Sequence, residues 1–233
     1  MSTRLEGHTF RRFDGELYHL LTEILQMAGL VYEQVQMALE SFQQQKLDSI
    51  RVINEREAQV DALEKSIDSV ITEVLAKRGP VARDLRTIMA FSKAVTDLER
   101  LGDEAAKIAY IAATMYNNDG NNPSNYLLRD VGIMGKLACV LLKEAIEILD
   151  MLDLERAEKL LNSHDDIEEE FQAGLRRLAT YVLEDARNVG HIINVVLAMK
   201  SLVRIGEHAR NLVEYVVKKV NGEDNRQAES VQA

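Results

Sequence analysis

The motif Leu98-Glu-Arg-Leu-Gly-Asp103 returns 104 residues later in the chain as Leu202-Val-Arg-Ile-Gly-Glu207. The similarity extends to both sides of the motif. Residues 88–111 and 192–215 share six identities over 24 aligned positions, where average composition yields about two by chance. The chain therefore contains an internal repeat of two similar units.

Apolar residues within each unit follow the spacing of helices. A first stripe runs from Phe13 to Phe42 in steps of three and four, and a second runs from Val60 to Val74 and stops before Gly79-Pro80. A third stripe starts at Ile88, and no segment alternates with the period of two that marks a half-buried strand. We predict an all-α protein of six long helices, arranged as two tandem three-helix bundles related by a pseudo-twofold axis.

The boundary between the units is predicted from a run of turn-forming residues. Residues 117–125 read Asn-Asn-Asp-Gly-Asn-Asn-Pro-Ser-Asn, and such residues favour loops over helices. We predict a first bundle over residues 1–120, a second over 121–220 with a hinge between them, and a flexible polar tail over 221–233.

Composition excludes several classes of protein. The 28 Lys and Arg residues against 38 Asp and Glu residues give a formal net charge of −10, which disfavours nucleic acid as a partner. The single cysteine, Cys139, allows no intrachain disulfide and fits a reducing compartment. The longest apolar stretches, such as Ile192–Met199, are interrupted by polar residues or fall far short of the ~20 residues of a membrane span. These features predict a soluble cytoplasmic protein.

Carboxylates on the second and third helices suggest a cation site. Glu99 and Asp103 are four residues apart and share one helix face, and an acidic row on the preceding helix comprises Glu57, Asp61, Glu64 and Asp68. Two such faces side by side would offer oxygen ligands to Mg²⁺, Mn²⁺ or iron. We predict a metal site made of Glu57, Asp61, Glu99 and Asp103. The alternative is a set of solvated acidic faces paired with nearby Lys and Arg.

The second unit carries a poorer copy of this pattern. Leu161 and Val203 stand at the positions of Glu57 and Glu99. The remaining candidate ligands of the second unit are Asp165, Asp166, Glu169 and Glu207. If only one unit holds a metal, the first is favoured.

Glycine interrupts the apolar stripe of the third helix in both units. Gly102 and Gly206 occupy equivalent positions, and a glycine inside a helix costs about 1 kcal/mol relative to alanine. We predict that both glycines mark close contacts between helices.

Three segments together resemble the PhoU family of bacterial regulators of the phosphate-specific transport system. They are Phe13-Asp-Gly-Glu-Leu17, the stretch 98–108 and the stretch 202–212. The resemblance covers essentially the whole chain. It implies two tandem three-helix bundles, a homodimer, and acidic pairs four residues apart that hold iron or other metals in some members.

The resemblance also implies a function. Family members dampen phosphate uptake and the phosphate-starvation response, and they link the ATPase subunit of the phosphate ABC transporter to a sensor histidine kinase. They meet the membrane only through these partners. The chain shows no phosphate loop, no nucleophile elbow and no positioned general acid or base, so we expect an adaptor and not an enzyme. The alternatives are a metal-dependent hydrolase or oxidase using the carboxylates, and a purely structural helical scaffold.

Overall fold

The computed structural model describes residues 11–44, 49–81, 83–116, 123–163 and 166–230, without the side chains of residues 11–14, 49, 83 and 219–230. Every regular element in these ranges is helical, and no strand occurs among them, which confirms the all-α fold. The α-helices are α1 (Arg11–Gln44), α2 (Ser49–Arg78), α3 (Arg83–Tyr116), α4 (Asn125–Met151), α5 (Leu154–Leu161), α6 (Asp166–Glu184) and α7 (Val189–Ser230).

The repeat is visible in the helices, with one difference between its halves. Helix α1 corresponds to α4, helix α2 corresponds to the pair α5 and α6, and helix α3 corresponds to α7. The helix that matches α2 is thus in two pieces. Asp153 caps the start of α5 by accepting a hydrogen bond from the Arg156 amide, and Asn162 follows its last turn. Asn162 and Ser163 are both poor helix formers, so the chain turns before α6 begins.

Helices α3 and α7 lie at the centre and run antiparallel. Asp97 of α3 contacts His208 of α7, while Glu104 of α3 hydrogen-bonds with Ser201 of α7. Ser201 and His208 are the repeat equivalents of Asp97 and Glu104, so each contact is the counterpart of the other. This reciprocity is what a pseudo-twofold axis between the two helices produces.

The apolar core is continuous across this central pair. Side chains from both units pack into one cluster. Fully buried members on the central helices include Leu98, Leu101, Ala105, Leu202, Ile205 and Ala209. Burying apolar surface contributes about 25 cal/mol per Å², so the two units stabilise each other as well as themselves.

Two boundary predictions meet the structure differently. Residues 117–122, where the hinge is predicted, lie outside the described residues, and the division at 120/121 stays a prediction. Helix α7 continues to Ser230, into the segment 221–233 for which we predict a flexible polar tail, and the flexibility of that segment stays a prediction.

One segment of the described chain, Ala186–Lys218, is long and apolar enough to cross a membrane by length and composition. We expected no such segment, because polar residues interrupt its apolar runs, although its mean hydropathy is high. In the fold, 56% of the most apolar stretch of this segment is buried. The central helix of a packed core passes the same test, so this is weak support for a membrane span.

Candidate functional site

The predicted carboxylates of the first unit lie along the contact between α2 and α3. Glu57, Asp61 and Glu64 on α2 and Glu99 on α3 are half-buried, whereas Asp103 is exposed. The two helices pack against each other, and carboxylates four residues apart stand on one face of each helix. Their packing brings the two acidic faces together.

Glu57 is the centre of this group. It hydrogen-bonds with Asp103 across the helix contact and accepts a hydrogen bond from the Gln34 amide of α1. Burial raises the pKa of Glu57 to about 7. The bond from Gln34 opposes this shift, while the charges of Asp103 and Asp61 add to it. Near neutral pH, Glu57 therefore exchanges between a carboxylic acid and a carboxylate.

The neighbouring carboxylates repel one another. Burial, then the charges of Asp103, Glu64 and Asp61, raise the pKa of Glu99 above its ordinary value. Burial and the charges of acidic neighbours on α2 raise the pKa of Glu64 in the same way. These couplings cross from one helix to the other, so the carboxylates form one interacting group. A bound cation would relieve that repulsion.

Gly102 makes room for side chains of the neighbouring helices α1 and α2. A Cβ atom at this position would lie 3.2 Å from Glu57 Oε2 and 3.5 Å from Gln34 Oε1. Gln34 is fully buried, and its amide also donates to the Gly102 carbonyl at 3.4 Å. The glycine thus admits a buried hydrogen-bonded pair into the bundle.

Sequence reasoning missed Gln34. It lies between the apolar stripe residues Val31 and Val35, and its repeat equivalent is Ala138. The sequence did offer a signal. Gln34 is a polar residue beside an apolar stripe, and the equivalent residue of the second unit is apolar. Among the described residues, Gln34 Oε1 has no hydrogen-bond partner, so the polar pocket has one acceptor that is not satisfied.

The donor set suits a hard or borderline cation, but the side chains are not gathered around one point. Within the described ranges, no group of three or more His, Cys, Asp or Glu side chains is placed to hold a metal ion. Binding through Glu57, Asp61, Glu99 and Asp103 would need new side-chain rotamers, for which the exposed Asp103 has room. The metal site therefore stays a prediction.

The second unit lacks the polar pocket. Asp166, Glu169 and Glu207 are exposed, and Asp165 lies outside the described residues. Val203 is buried at the position of Glu99. A Cβ atom on Gly206 would lie 2.9 Å from Ile167 Cδ1, so this glycine meets an apolar side chain where Gly102 meets polar ones.

A second polar group, also missed from the sequence, lies between α3 and α7. Asp97 is buried, and it accepts hydrogen bonds from His208 at 2.7 Å, Asn211 at 3.3 Å and Tyr215 at 2.6 Å. Burial by itself raises the pKa of Asp97, but the hydrogen bonds from His208, Tyr215 and Asn211 outweigh it and hold the pKa below its ordinary value. This cluster joins the two units.

Known proteins share both the sequence and the fold. The PhoU domain model matches twice, at residues 24–112 and 131–216. A phosphate-specific transport system accessory protein PhoU homolog from Pseudomonas aeruginosa is 34% identical over 95% of this chain and 90% of its own length. The Escherichia coli K12 accessory protein PhoU is 28% identical over 97% of this chain and 92% of its own.

Solved structures agree with these matches. The crystal structure of PhoU from Pseudomonas aeruginosa superposes with a TM-score of 0.84 at 34% identity, covering 90% of this chain and 99% of that one. The phosphate transport system regulatory protein PhoU from Streptococcus pneumoniae shares the fold, with a TM-score of 0.80 at 21% identity over 90% of this chain and 97% of its own. The repeat, the acidic motif of the third helix and the two matches of one domain model thus lead to a single conclusion: the chain belongs to the PhoU family.

Proposed function

We propose that this chain is the accessory protein of a phosphate-specific transport system and acts as a negative regulator of phosphate uptake and phosphate-starvation signalling. The observation that carries the proposal is the match to proteins of that name, which covers nearly the whole length of this chain and of the relatives. A protein of long, mutually packed helices offers extended surfaces to other proteins, which is the physical requirement of an adaptor.

The partners belong to the same proposal. We expect the chain to act in the cytoplasm, as a homodimer, between the ATPase subunit of the phosphate transporter and a sensor histidine kinase. It would reach the membrane through these proteins. The acidic net charge of −10 supports protein partners over nucleic acid.

The proposed role is not catalytic. The names of the relatives describe an accessory role and mention no reaction. A metal-dependent hydrolase or oxidase, the alternative raised by the acidic motifs, gains no support from the relatives' names.

Metal binding is proposed as an addition to this role. Mn²⁺, iron or Mg²⁺ would be held by Glu57, Asp61, Glu99 and Asp103, where cation charge would offset the mutual repulsion that raises the pKa of Glu57 and Glu99. Its contribution would be to tie α2 to α3, as a structural element of the adaptor.

The proposal is tested by affinity purification of the tagged full chain from its host, grown with high or low phosphate. We expect the transporter ATPase subunit and the sensor kinase in the eluate. Deletion of the gene should leave the phosphate-starvation response active in high phosphate. A deletion strain with normal repression, together with an eluate free of both proteins, would overturn the proposal.

A further inference from the structure

The outward faces of α3 and α7 expose apolar side chains at equivalent positions of the two units. Leu85 and Met89 on α3 are 39% and 45% exposed. Their counterparts 104 residues later on α7, Val189 and Ile193, are 37% and 54% exposed. Each pair is spaced by four residues and so lies on one helix face, and Leu197, which is 52% exposed, continues the second pair. We call Leu85 and Met89 the α3 patch, and Val189, Ile193 and Leu197 the α7 patch.

The two patches lie on the same side of the molecule. Helices α3 and α7 are antiparallel neighbours, and a twofold axis that relates such helices is perpendicular to the plane that contains them. Equivalent side chains therefore lie on the same side of that plane. Because Glu104 lies beside Ser201, Ile193 is level with Ala112 of α3, about 35 Å along the helix from Met89.

The surface between the patches is open. The exposed charged side chains along it are Lys93, Arg100, Asp103 and Lys107 on α3, and Lys200, Arg204 and Glu207 on α7. We call this surface, together with the two patches, the central face. It is about 35 Å long and two helices wide, so it covers about 700 Å². A standard protein interface covers about 800 Å² on each partner.

We propose that the central face is the contact between two copies of this chain. The proposal rests on the homodimer that is part of the proposed function. Each patch alone, with two or three side chains, is too small to hold a partner, so the occupant must cover both patches. It must therefore carry two matching apolar patches about 35 Å apart, and a second copy of this chain has them.

The pseudo-twofold axis makes the central face complementary to itself. Two copies that pack face to face around a twofold axis use the same surface on both sides of the contact. The α3 patch and the α7 patch lie at equal distances from the centre of the face. Both patches of one copy therefore meet apolar patches of the other, whether like patches pair or the α3 patch pairs with the α7 patch.

The charged side chains in the middle of the face suit the same contact. Arg100 and Arg204 occupy equivalent positions beside the pseudo-twofold axis, and Asp103 and Glu207 follow them by three residues. Within the chain, Arg204 is bound to Glu104 at 3.1 Å. Both signs of charge occur near the centre, so a second copy can bring carboxylates of one chain to arginines of the other. Such pairs fix the register of a contact, while the apolar patches stabilise it.

Other occupants and other surfaces fit less well. Tyr18 on α1 and Val140 on α4 are 61% and 67% exposed, but apolar side chains that are exposed singly are common on protein surfaces and need no partner. A membrane is disfavoured, because a helix that lies in a lipid interface needs a continuous apolar face and charged side chains occupy the middle of the central face.

The experiment measures the oligomeric state of the full chain by sedimentation equilibrium. The test variants are Met89→Glu, Ile193→Glu and the two combined. The controls are Tyr18→Glu and Val140→Glu, which place the same charge at exposed apolar positions outside the central face. We expect a dimer for the wild-type chain and both controls, a dissociation constant raised about ten-fold or more by each single test variant, and a monomer for the combined variant. Circular dichroism establishes that all variants fold.

The two single test variants should both weaken the dimer, because both patches belong to the contact. A monomeric wild-type chain, or a dimer that the test variants leave intact, would overturn the proposal. A dimer that depends on only one of the two patches would do the same.

Cross-linking locates the contact in a second way. Met89→Cys and Ile193→Cys are combined in a Cys139→Ala background and treated with a short bis-maleimide, which cannot bridge these two positions within one chain. Tyr18→Cys and Val140→Cys in the same background form the control. We expect covalent dimers from the first variant and not from the control. The opposite result would place the interface elsewhere and overturn the proposal.

Purification of the transport proteins tests the function separately. If the wild-type chain captures none of them while the test variants lose the dimer, the interface stands and the regulatory function fails. If the wild-type chain captures them while its dimer resists the test variants, the function stands and the interface is wrong. If the wild-type chain is monomeric and the test variants lose the transport proteins, the central face binds one of those proteins, and the proposal is overturned.

Discussion

At the scale of single residues, the first unit places a polar pair where the second unit packs apolar side chains. Gln34 and Glu57 correspond to Ala138 and Leu161. Gln34 is fully buried and donates to Glu57, in the space left by Gly102. Burying a carboxyl group beside other carboxylates costs stability when it is charged, so the first unit retains a group that packing alone would disfavour.

Replacing Glu57 should make stability less dependent on pH. Because the pKa of Glu57 in the fold is raised to about 7, the folded chain holds a proton that the unfolded chain releases at lower pH. This group's contribution is fully present below the unfolded pKa and is lost as pH rises toward 7. We expect Glu57→Gln to raise stability by about 1 kcal/mol at pH of about 8, after allowance for solvent screening, and to change little at pH of about 5.

Thermal melting at the two pH values measures this difference. The control is Glu55→Gln, an exposed position on the same helix, which should shift both melting temperatures by little. A Glu57→Gln variant that is less stable than the wild-type chain at pH of about 8 would contradict this prediction, because it would show that the ionised carboxyl group stabilises the fold.

Gly102 should tolerate no large side chain. A leucine at this position would displace both Glu57 and Gln34, since even its Cβ atom would lie 3.2 Å from Glu57 Oε2. We expect Gly102→Leu to destabilise the fold by about 1–3 kcal/mol in urea unfolding. In contrast, Gly29→Ala should stabilise it by about 0.5–1 kcal/mol, because a Cβ atom there meets no atom within 4 Å and alanine favours helix. An unchanged midpoint for Gly102→Leu would show that the site is open.

At the scale of helices, the acidic faces of α2 and α3 depend on each other. Burial and the charge of Asp103 on the same helix raise the pKa of Glu99 on α3, and the charges of Glu64 and Asp61 on α2 raise it further. In an isolated helix, i, i+4 pairs of like charge cost only a few tenths of a kcal/mol, and the repulsion between carboxylates of α2 and α3 arises only when the two helices pack together. The energetic effect of the motif therefore belongs to the pair of helices.

A cation should stabilise this pair. We expect Mn²⁺ or Fe²⁺ to raise the melting temperature of the full chain by mass action, and the double variant Glu99→Ala, Asp103→Ala to lose most of that gain. The matched control is Glu207→Ala, which removes an exposed carboxylate of the second unit and should keep the gain. A melting temperature that responds to neither ion would rule out a metal site in the first unit.

At the scale of the whole molecule, α3 and α7 unite the two units. Their contact combines a continuous apolar core with the Asp97 cluster. Asp97 receives three hydrogen bonds from α7 and is 3% exposed. Truncating an acceptor of this kind leaves buried donors without partners, which costs more than the bonds themselves contribute.

Replacing Asp97 should therefore weaken the junction of the units. We expect Asp97→Ala to lower the free energy of unfolding by about 2–4 kcal/mol near neutral pH. Because the pKa of Asp97 is lowered in the fold, its contribution is present above the unfolded pKa of about 4 and is lost as pH falls through the folded value. The penalty should thus shrink in acid, the reverse of the Glu57 case.

Urea unfolding at pH values of about 7 and about 3 measures the Asp97 effect. The control is Asp150→Ala, an exposed carboxylate on α4, which should change stability little at either pH. A penalty of equal size at both pH values would mean that the Asp97 charge is not what the cluster stabilises.

The helices, the repeat and the acidic faces could be predicted from the amino-acid sequence. Helical spacing is a local property, because residues three and four apart share a face whatever lies beyond the helix. The offset of 104 residues then related the two units without any coordinates. The identity of the family followed from the same motifs, since they recur in both units at equivalent positions.

The buried polar contacts and their pKa shifts could not be predicted from the sequence, because they depend on how the helices pack. Gln34 and Glu57 are 23 residues apart, and Asp97 and Tyr215 are 118 residues apart, so no local pattern links them. The raised pKa of Glu57 and the lowered pKa of Asp97 depend on burial and on donors supplied by other helices. These properties come from contacts between distant segments, which exist only once the helices have assembled.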